Sequence, residues 1–158
     1  MAEGLFGRFG GRTQEKTFPV SKSDEEWRRQ LTPEQYQVLR RHGTERAGSS
    51  PLDKEYGAGI YHCRGCGQPL FASAAKFNSG TGWPSFWAPI EEAIETDIDR
   101  SFFMTRTEVH CRRCGGHLGH VFEDGPEPSG LRYCMNGAAL DFHGAEASRE
   151  TPAGETQP

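Results

Sequence analysis

The chain has 158 residues, 34% of them hydrophobic, with 20 glycines, 10 prolines, a net charge of −4 and a pI near 5.9. This is one domain's worth of sequence, suited to turns and short strands, and its acidic balance excludes a general affinity for nucleic acid or anionic membranes. No apolar run approaches the ~20 residues that span a bilayer, and Gly7, Arg8 and Gly10 interrupt any secretory-signal core, so a cytoplasmic location is expected.

Residues 1–17 show no periodicity and predict a flexible arm; residues 144–158, rich in Ala, Glu, Thr and Pro, predict a flexible tail. The folded body is expected between, over 18–143. It opens with two short amphipathic helices. Ser23 with Glu26 forms a capping box, and Trp27 and Leu31 supply an apolar edge. Thr32, Pro33 and Gln35 start the second helix, Tyr36 and Leu39 give its apolar edge, and Gly43 is the expected stop.

Beyond Gly57 the helical period disappears. Strands are predicted over 58–63, 101–110, 117–122 and 131–136, the last two flanking the turn-rich segment 123–130. Between the first two lies Phe77-Asn-Ser-Gly-Thr-Gly-Trp-Pro-Ser-Phe-Trp87. Trp83, Phe86 and Trp87 in that loop read equally as core packing or as an apolar pocket for a methyl or thioether group.

Five cysteines carry the chemistry. Cys63-Arg-Gly-Cys66 and Cys111-Arg-Arg-Cys114 are two Cys-x-x-Cys knuckles, which together supply the four soft ligands of a closed tetrahedral zinc site. The 44 residues between Cys66 and Cys111 mean that the metal would staple two distant hairpins. A four-cysteine site has no open position, so this zinc is expected to be structural. Cys134 is left over. Arg132 and Asn136 stand two residues to either side, on the same strand face, where a cation stabilises a thiolate and an amide donor stabilises developing charge. His117, His120 and Asp124 lie upstream and could donate a proton, although either histidine could equally just hydrogen-bond in a turn.

Ser23–Tyr36, both knuckles, Ser79–Phe86, His117–Phe122 and Arg132–Asn136 together resemble the methionine-R-sulfoxide reductases, the B family of methionine sulfoxide repair enzymes. The matches come in the family's order and span about 18–142. The resemblance implies a mainly β fold of two antiparallel sheets with short N-terminal helices. It implies Cys134 as nucleophile, Trp83 and Phe86 as substrate-binding residues, and His117, His120, Asp124, Arg132 and Asn136 around the polar side of the pocket. The substrate would be oxidised methionine in proteins, with free methionine sulfoxide as an open alternative.

Many relatives carry a resolving cysteine where this chain has Thr81, so a Cys134 sulfenic acid is expected to need an external thiol. Thioredoxin is the first candidate, and glutaredoxin with glutathione the second. Gly137 also replaces a frequent serine. A monomer is expected, since no long apolar face is left over. The rival reading is a non-catalytic zinc module that grips a partner through its aromatic loop; it leaves Arg132, Cys134, Asn136 and the two histidines without a purpose.

Overall fold

The capping residues of the first segment set its geometry. In a computed structural model that describes residues 17–145, α1 (Asp24–Gln30) and α2 (Pro33–Arg41) each begin on a complete capping box, Ser23 with Glu26 and Thr32 with Gln35. The end of α2 differs from expectation. His42, not Gly43, takes the left-handed conformation (φ 58°), and the Gly43 N–H closes the turn on Gln37 O at 2.8 Å. His42 Nε2 also lies 3.2 Å from Glu108 Oε2.

The strands are β1 (Gly59–Cys63), β2 (Pro69–Ala72), β3 (Lys76–Phe77), β4 (Ser85–Phe86), β5 (Ile94–Asp99), β6 (Arg106–Cys111), β7 (His117–Phe122), β8 (Arg132–Met135) and β9 (Leu140–Gly144). They form two antiparallel sheets, three strands in the order β9-β1-β2 and six in the order β3-β4-β8-β7-β6-β5. The mainly β architecture with two short helices is therefore as expected. The strand expected over 101–110 is not continuous. The Asp99 carboxylate accepts the Ser101 N–H at 3.0 Å, a 3₁₀ turn follows over Ser101–Phe103, and pairing resumes at Arg106. The expected arm and tail lie outside the described residues except for Thr17, Gly144 and Ala145. β9 runs one residue past the expected boundary, with Gly144 paired to Gly59.

Tyr61, Leu70, Phe71, Phe86, Leu118 and Met135 form a fully buried centre, joined by Leu39 from α2. Burying a side chain of the size of Leu39 contributes roughly 2 kcal/mol. The helices also brace the knuckles. Gln30 Nε2 donates to Gly65 O at 2.7 Å, and Arg40 donates to Cys114 O at 3.1 Å while its guanidinium lies 4.4 Å from the Trp27 ring centre. Among the described residues, no helix is long and apolar enough to cross a membrane.

Candidate active site and metal centre

The two knuckles meet. Cys63 Sγ lies 3.7 Å from Cys114 Sγ, and Cys66 Sγ lies 3.6 Å from Cys111 Sγ, with all four sulfurs within 4.8 Å of one another. A tetrahedral ion with bonds of ~2.3 Å spaces its sulfurs by about 3.8 Å, so this quartet fits one metal. Gly65 N–H and Arg113 N–H point at Cys63 Sγ and Cys111 Sγ, at 3.3 and 3.4 Å. Hydrogen bonds among the four thiols push Cys66 and Cys114 down and Cys63 and Cys111 up, so without a metal the cluster shares its protons.

Cys134 sits apart from this cluster, in the middle of β8. Across the ladder it is paired with His120 on β7 and with Ser85 on β4. Directly opposed antiparallel residues share a face, so the strand register alone brings the thiol and the imidazole together. Gly119 makes this close: a Cβ there would lie 2.1 Å from Cys134 O. Arg132, Cys134 and Asn136 do share one face, and all three line a cavity of about 290 Å³ with Thr44, Thr81, Trp83, Arg106, Gly119, His120 and Phe122.

Each group in the cavity has a fixed partner. The Trp83 indole N–H donates to Glu45 O at 3.0 Å, which holds the ring in the wall. Asn136 donates to Leu118 O at 3.0 Å and accepts Glu45 N–H at 2.9 Å. Arg132 makes a two-pronged pair with Asp124, at 2.9 and 3.1 Å, and its guanidinium lies 4.4 Å from the Phe122 ring centre. His120 Nε2 lies 2.9 Å from Asp99 Oδ2, which also accepts from Arg106 at 3.3 Å. The Ser101 N–H, and then His120, hold the Asp99 carboxyl well below the usual carboxylate range.

Three sequence expectations meet a different geometry. Phe86 is fully buried, stacked on Phe71 at 4.4 Å, and does not line the cavity; strand alternation turns it to the core while its neighbour Ser85 faces Cys134. Asp124 is exposed and acts on Arg132 rather than on the cavity. His117 is buried against Val38 O at 3.3 Å and lines the adjoining cleft of about 440 Å³, not the Cys134 cavity. Burial pushes its pKa down to about 4. The ladder explains why it still touches His120, at 5.5 Å between ring centres. The register slips by one residue between the His110–His117 and Val109–Gly119 pairs, so the extra residue Leu118 returns His117 to the face of His120.

The Cys134 thiol also differs from expectation. Burial raises it above its ordinary value, and the Arg132 charge and the nearby Thr81 hydroxyl offset this only in part. Gly137 has a clear reason. A Cβ there would lie 2.0 Å from Ser50 Oγ, so a side chain at this position would collide with a residue of another segment.

Asp99, Glu45, Thr44, Arg106 and Phe122 were not singled out from the sequence. Asp99 had a legible signal, the Asp-x-Ser turn that ends β5. Glu45 had none.

Comparison with known proteins places this geometry. Residues 31–144 match the SelR domain family. The chain is 56% identical over 128 residues to the peptide methionine sulfoxide reductase MsrB of Hahella chejuensis, covering 80% of this chain and 92% of the relative. It is 52% identical over 126 residues to that of Leptospira interrogans, covering 79% and 96%, and 54% identical over 132 residues to that of Methanosarcina barkeri, covering 83% and 93%.

Proposed function

The chain belongs to the SelR-domain family of B-type peptide methionine sulfoxide reductases, oxidoreductases acting on methionine sulfoxide, and we propose that it works through Cys134 with an external thiol as reductant. The observation that carries this reading is the pairing of Cys134 with His120 inside a cavity walled by Trp83. The R-sulfoxide of a methionine in a protein places its methyl group against Trp83 and Phe122, and its oxygen toward His120 and Asn136.

Cys134 sulfur bonds to the sulfoxide sulfur as its own proton leaves, and protonated His120 delivers a proton to the oxygen. The hydroxyl group then passes to Cys134 as its bond to the methionine sulfur and the new S–S bond both break, which leaves a sulfenic acid on Cys134 and frees methionine. The methionine sulfur gains two electrons and the cysteine sulfur loses two. Arg132 and Thr81 hold the thiol as it ionises, and Asp124 keeps Arg132 in place. His117 stays neutral and packs behind His120; the proton donor is His120, oriented by Asp99.

Thioredoxin supplies the next two electrons. Its nucleophilic thiol displaces water from the sulfenic acid, and its second thiol releases Cys134. Glutaredoxin with glutathione is the second candidate. Zinc is the metal that best suits four thiolates; Cys63, Cys66, Cys111 and Cys114 would hold it, and with no open position it would close the fold and supply no chemistry to the reaction. The protein works as a monomer in the thiol-reducing cytoplasm, which its free cysteines suit.

The test is a stereospecific assay. Wild-type protein reduces the R-sulfoxide and not the S-sulfoxide, and Cys134→Ser does neither while keeping its metal. Activity that survives in Cys134→Ser rules this reading out.

A further inference from the structure

Glu45 is buried, with 5% of its surface exposed, and among the described residues no lysine or arginine forms an ion pair with it. A carboxylate in such a place is costly unless its oxygens are satisfied. Both are. Oε2 accepts the Gly137 N–H at 2.9 Å and Oε1 accepts the Ala138 N–H at 2.8 Å. The side chain therefore clamps the turn that leaves β8 directly after Asn136.

The main chain of the same residue reaches two walls of the catalytic cavity. Its N–H donates to Asn136 Oδ1 at 2.9 Å, and its C=O accepts the Trp83 indole N–H at 3.0 Å. Further along the same loop segment, Gly48 N–H donates to Gly82 O at 2.8 Å, beside Trp83. Glu45 itself does not line the cavity, but its neighbour Thr44 does. One residue thus joins the aromatic side chain and the amide side chain, which come from separate parts of the chain.

We propose that Glu45 is a positioning residue that sets the placement of Trp83 relative to Asn136, and so the fit of the sulfoxide group between them. The inference rests on the reading of this cavity as the reduction site. The carboxylate anchors residue 45 to the turn at Gly137 and Ala138, and the anchored backbone then holds both side chains. Loosening that anchor shifts the contacts that strengthen as the sulfoxide reacts, while the thiol stays where β8 puts it. The expected loss is in turnover, since displacements near 1 Å from residues outside the chemistry cost on the order of 100-fold.

The experiment compares wild type, Glu45→Gln and Glu45→Ala by kcat and KM on a blocked methionine-R-sulfoxide amide, by iodoacetamide alkylation of Cys134, and by the Trp83 indole N–H resonance. Gln keeps one acceptor oxygen for the two N–H groups, so kcat should fall roughly 10-fold there and roughly 100-fold in Glu45→Ala. Alkylation should stay within about twofold of wild type, and the indole resonance should move. Adding Glu45→Gln to Asn136→Ala should cost much less than it does alone, because the effect passes through Asn136.

The proposal is overturned if folded Glu45→Gln keeps wild-type kcat and an unmoved indole resonance. It is also overturned if the two substitutions add fully, or if the loss merely follows the unfolded fraction. Should Glu45→Ala fail to fold, Glu45→Gln decides alone. If wild type lacks R-sulfoxide activity, the reduction reading fails, and the indole resonance of Glu45→Gln still decides whether Glu45 positions Trp83.

Discussion

Asp99 Oδ2 lies 2.9 Å from His120 Nε2, and this contact leaves Nδ1 as the nitrogen that His120 can offer to a ligand. Asp99 sits where β5 ends and His120 in the middle of β7, so β6 lies between them in the sheet. Asp99 is paired with Arg106 at the end of the β5–β6 ladder; its Oδ1 accepts the Ser101 N–H of the connecting turn, and Oδ2 is the oxygen beside His120.

Asp99→Asn should therefore lower kcat/KM by about 10- to 100-fold with no change in metal content, because the amide cannot stabilise the protonated ring as a carboxylate does. Comparison of the pH–rate profiles checks this. The value of kcat/KM should be lower in Asp99→Asn at every pH compared, and a profile identical to wild type would remove Asp99 from the mechanism.

Cys134 is held above the ordinary thiol value by burial. Its alkylation rate should accordingly keep rising with pH through the alkaline range, past the point where an exposed cysteine levels off. Arg132 favours the ionised form, so Arg132→Ala raises the pKa further and slows alkylation at pH 8. Faster alkylation in that variant would contradict the assigned role.

Thr81 lines the same cavity as Cys134. Thr81→Cys should put a second thiol within reach of the sulfenic acid. After one turnover without reductant, mass spectrometry should find sulfenic acid on Cys134 in wild type. In the variant it should find Cys134 in a disulfide with the introduced thiol. A Cys134 disulfide within wild-type protein would mean that one of the knuckle cysteines acts as the resolving thiol.

His117 is buried in neutral form, with its pKa pushed down to about 4. The unfolded chain takes up this proton below about 6.5 and the folded chain does not, so stability falls as pH drops from about 6.5 toward 4, by roughly 3 kcal/mol at most. His42 works the other way. Its hydrogen bond to Glu108 raises its pKa, which adds stability at low pH and loses it as pH rises through the folded value, but its side chain is largely exposed and its share is small. Urea denaturation at pH 7 and pH 5 should show the net loss in wild type and a smaller one in His117→Gln.

Cys63→Ser should lose metal and stability together, since three thiolates and a weakly ligating hydroxyl no longer make a closed tetrahedral set. Metal analysis and thermal melting should move in parallel; full metal content in this variant would argue against the four-cysteine centre.

Structure was legible wherever its signal lay within a few residues. The two capping boxes, the knuckles and the strand over 117–122 depend on near neighbours in the chain, and the structure matches those readings. The strand over 101–110 misled because alternation of side chains does not reveal an Asx turn made by the preceding Asp99. Strands β2, β3, β4, β5 and β9 went unread: β3 and β4 have only two residues each, and the others are defined by the neighbour that each pairs with.

The sequence by itself paired the knuckle cysteines that meet in one cluster, left Cys134 as the lone thiol and put polar residues beside it, because spacings of two and three residues fix direction along a strand or around a turn. Only the tertiary structure decided which groups meet that thiol. Register set His120 opposite Cys134, the one-residue slip at Leu118 turned His117 beside it, alternation sent Phe86 to the core, and residue 45 was carried across to Trp83 and Asn136. Such contacts join residues up to 93 positions apart, as from Glu45 to Ala138, and no local pattern encodes them because their energy exists only once the sheets have packed.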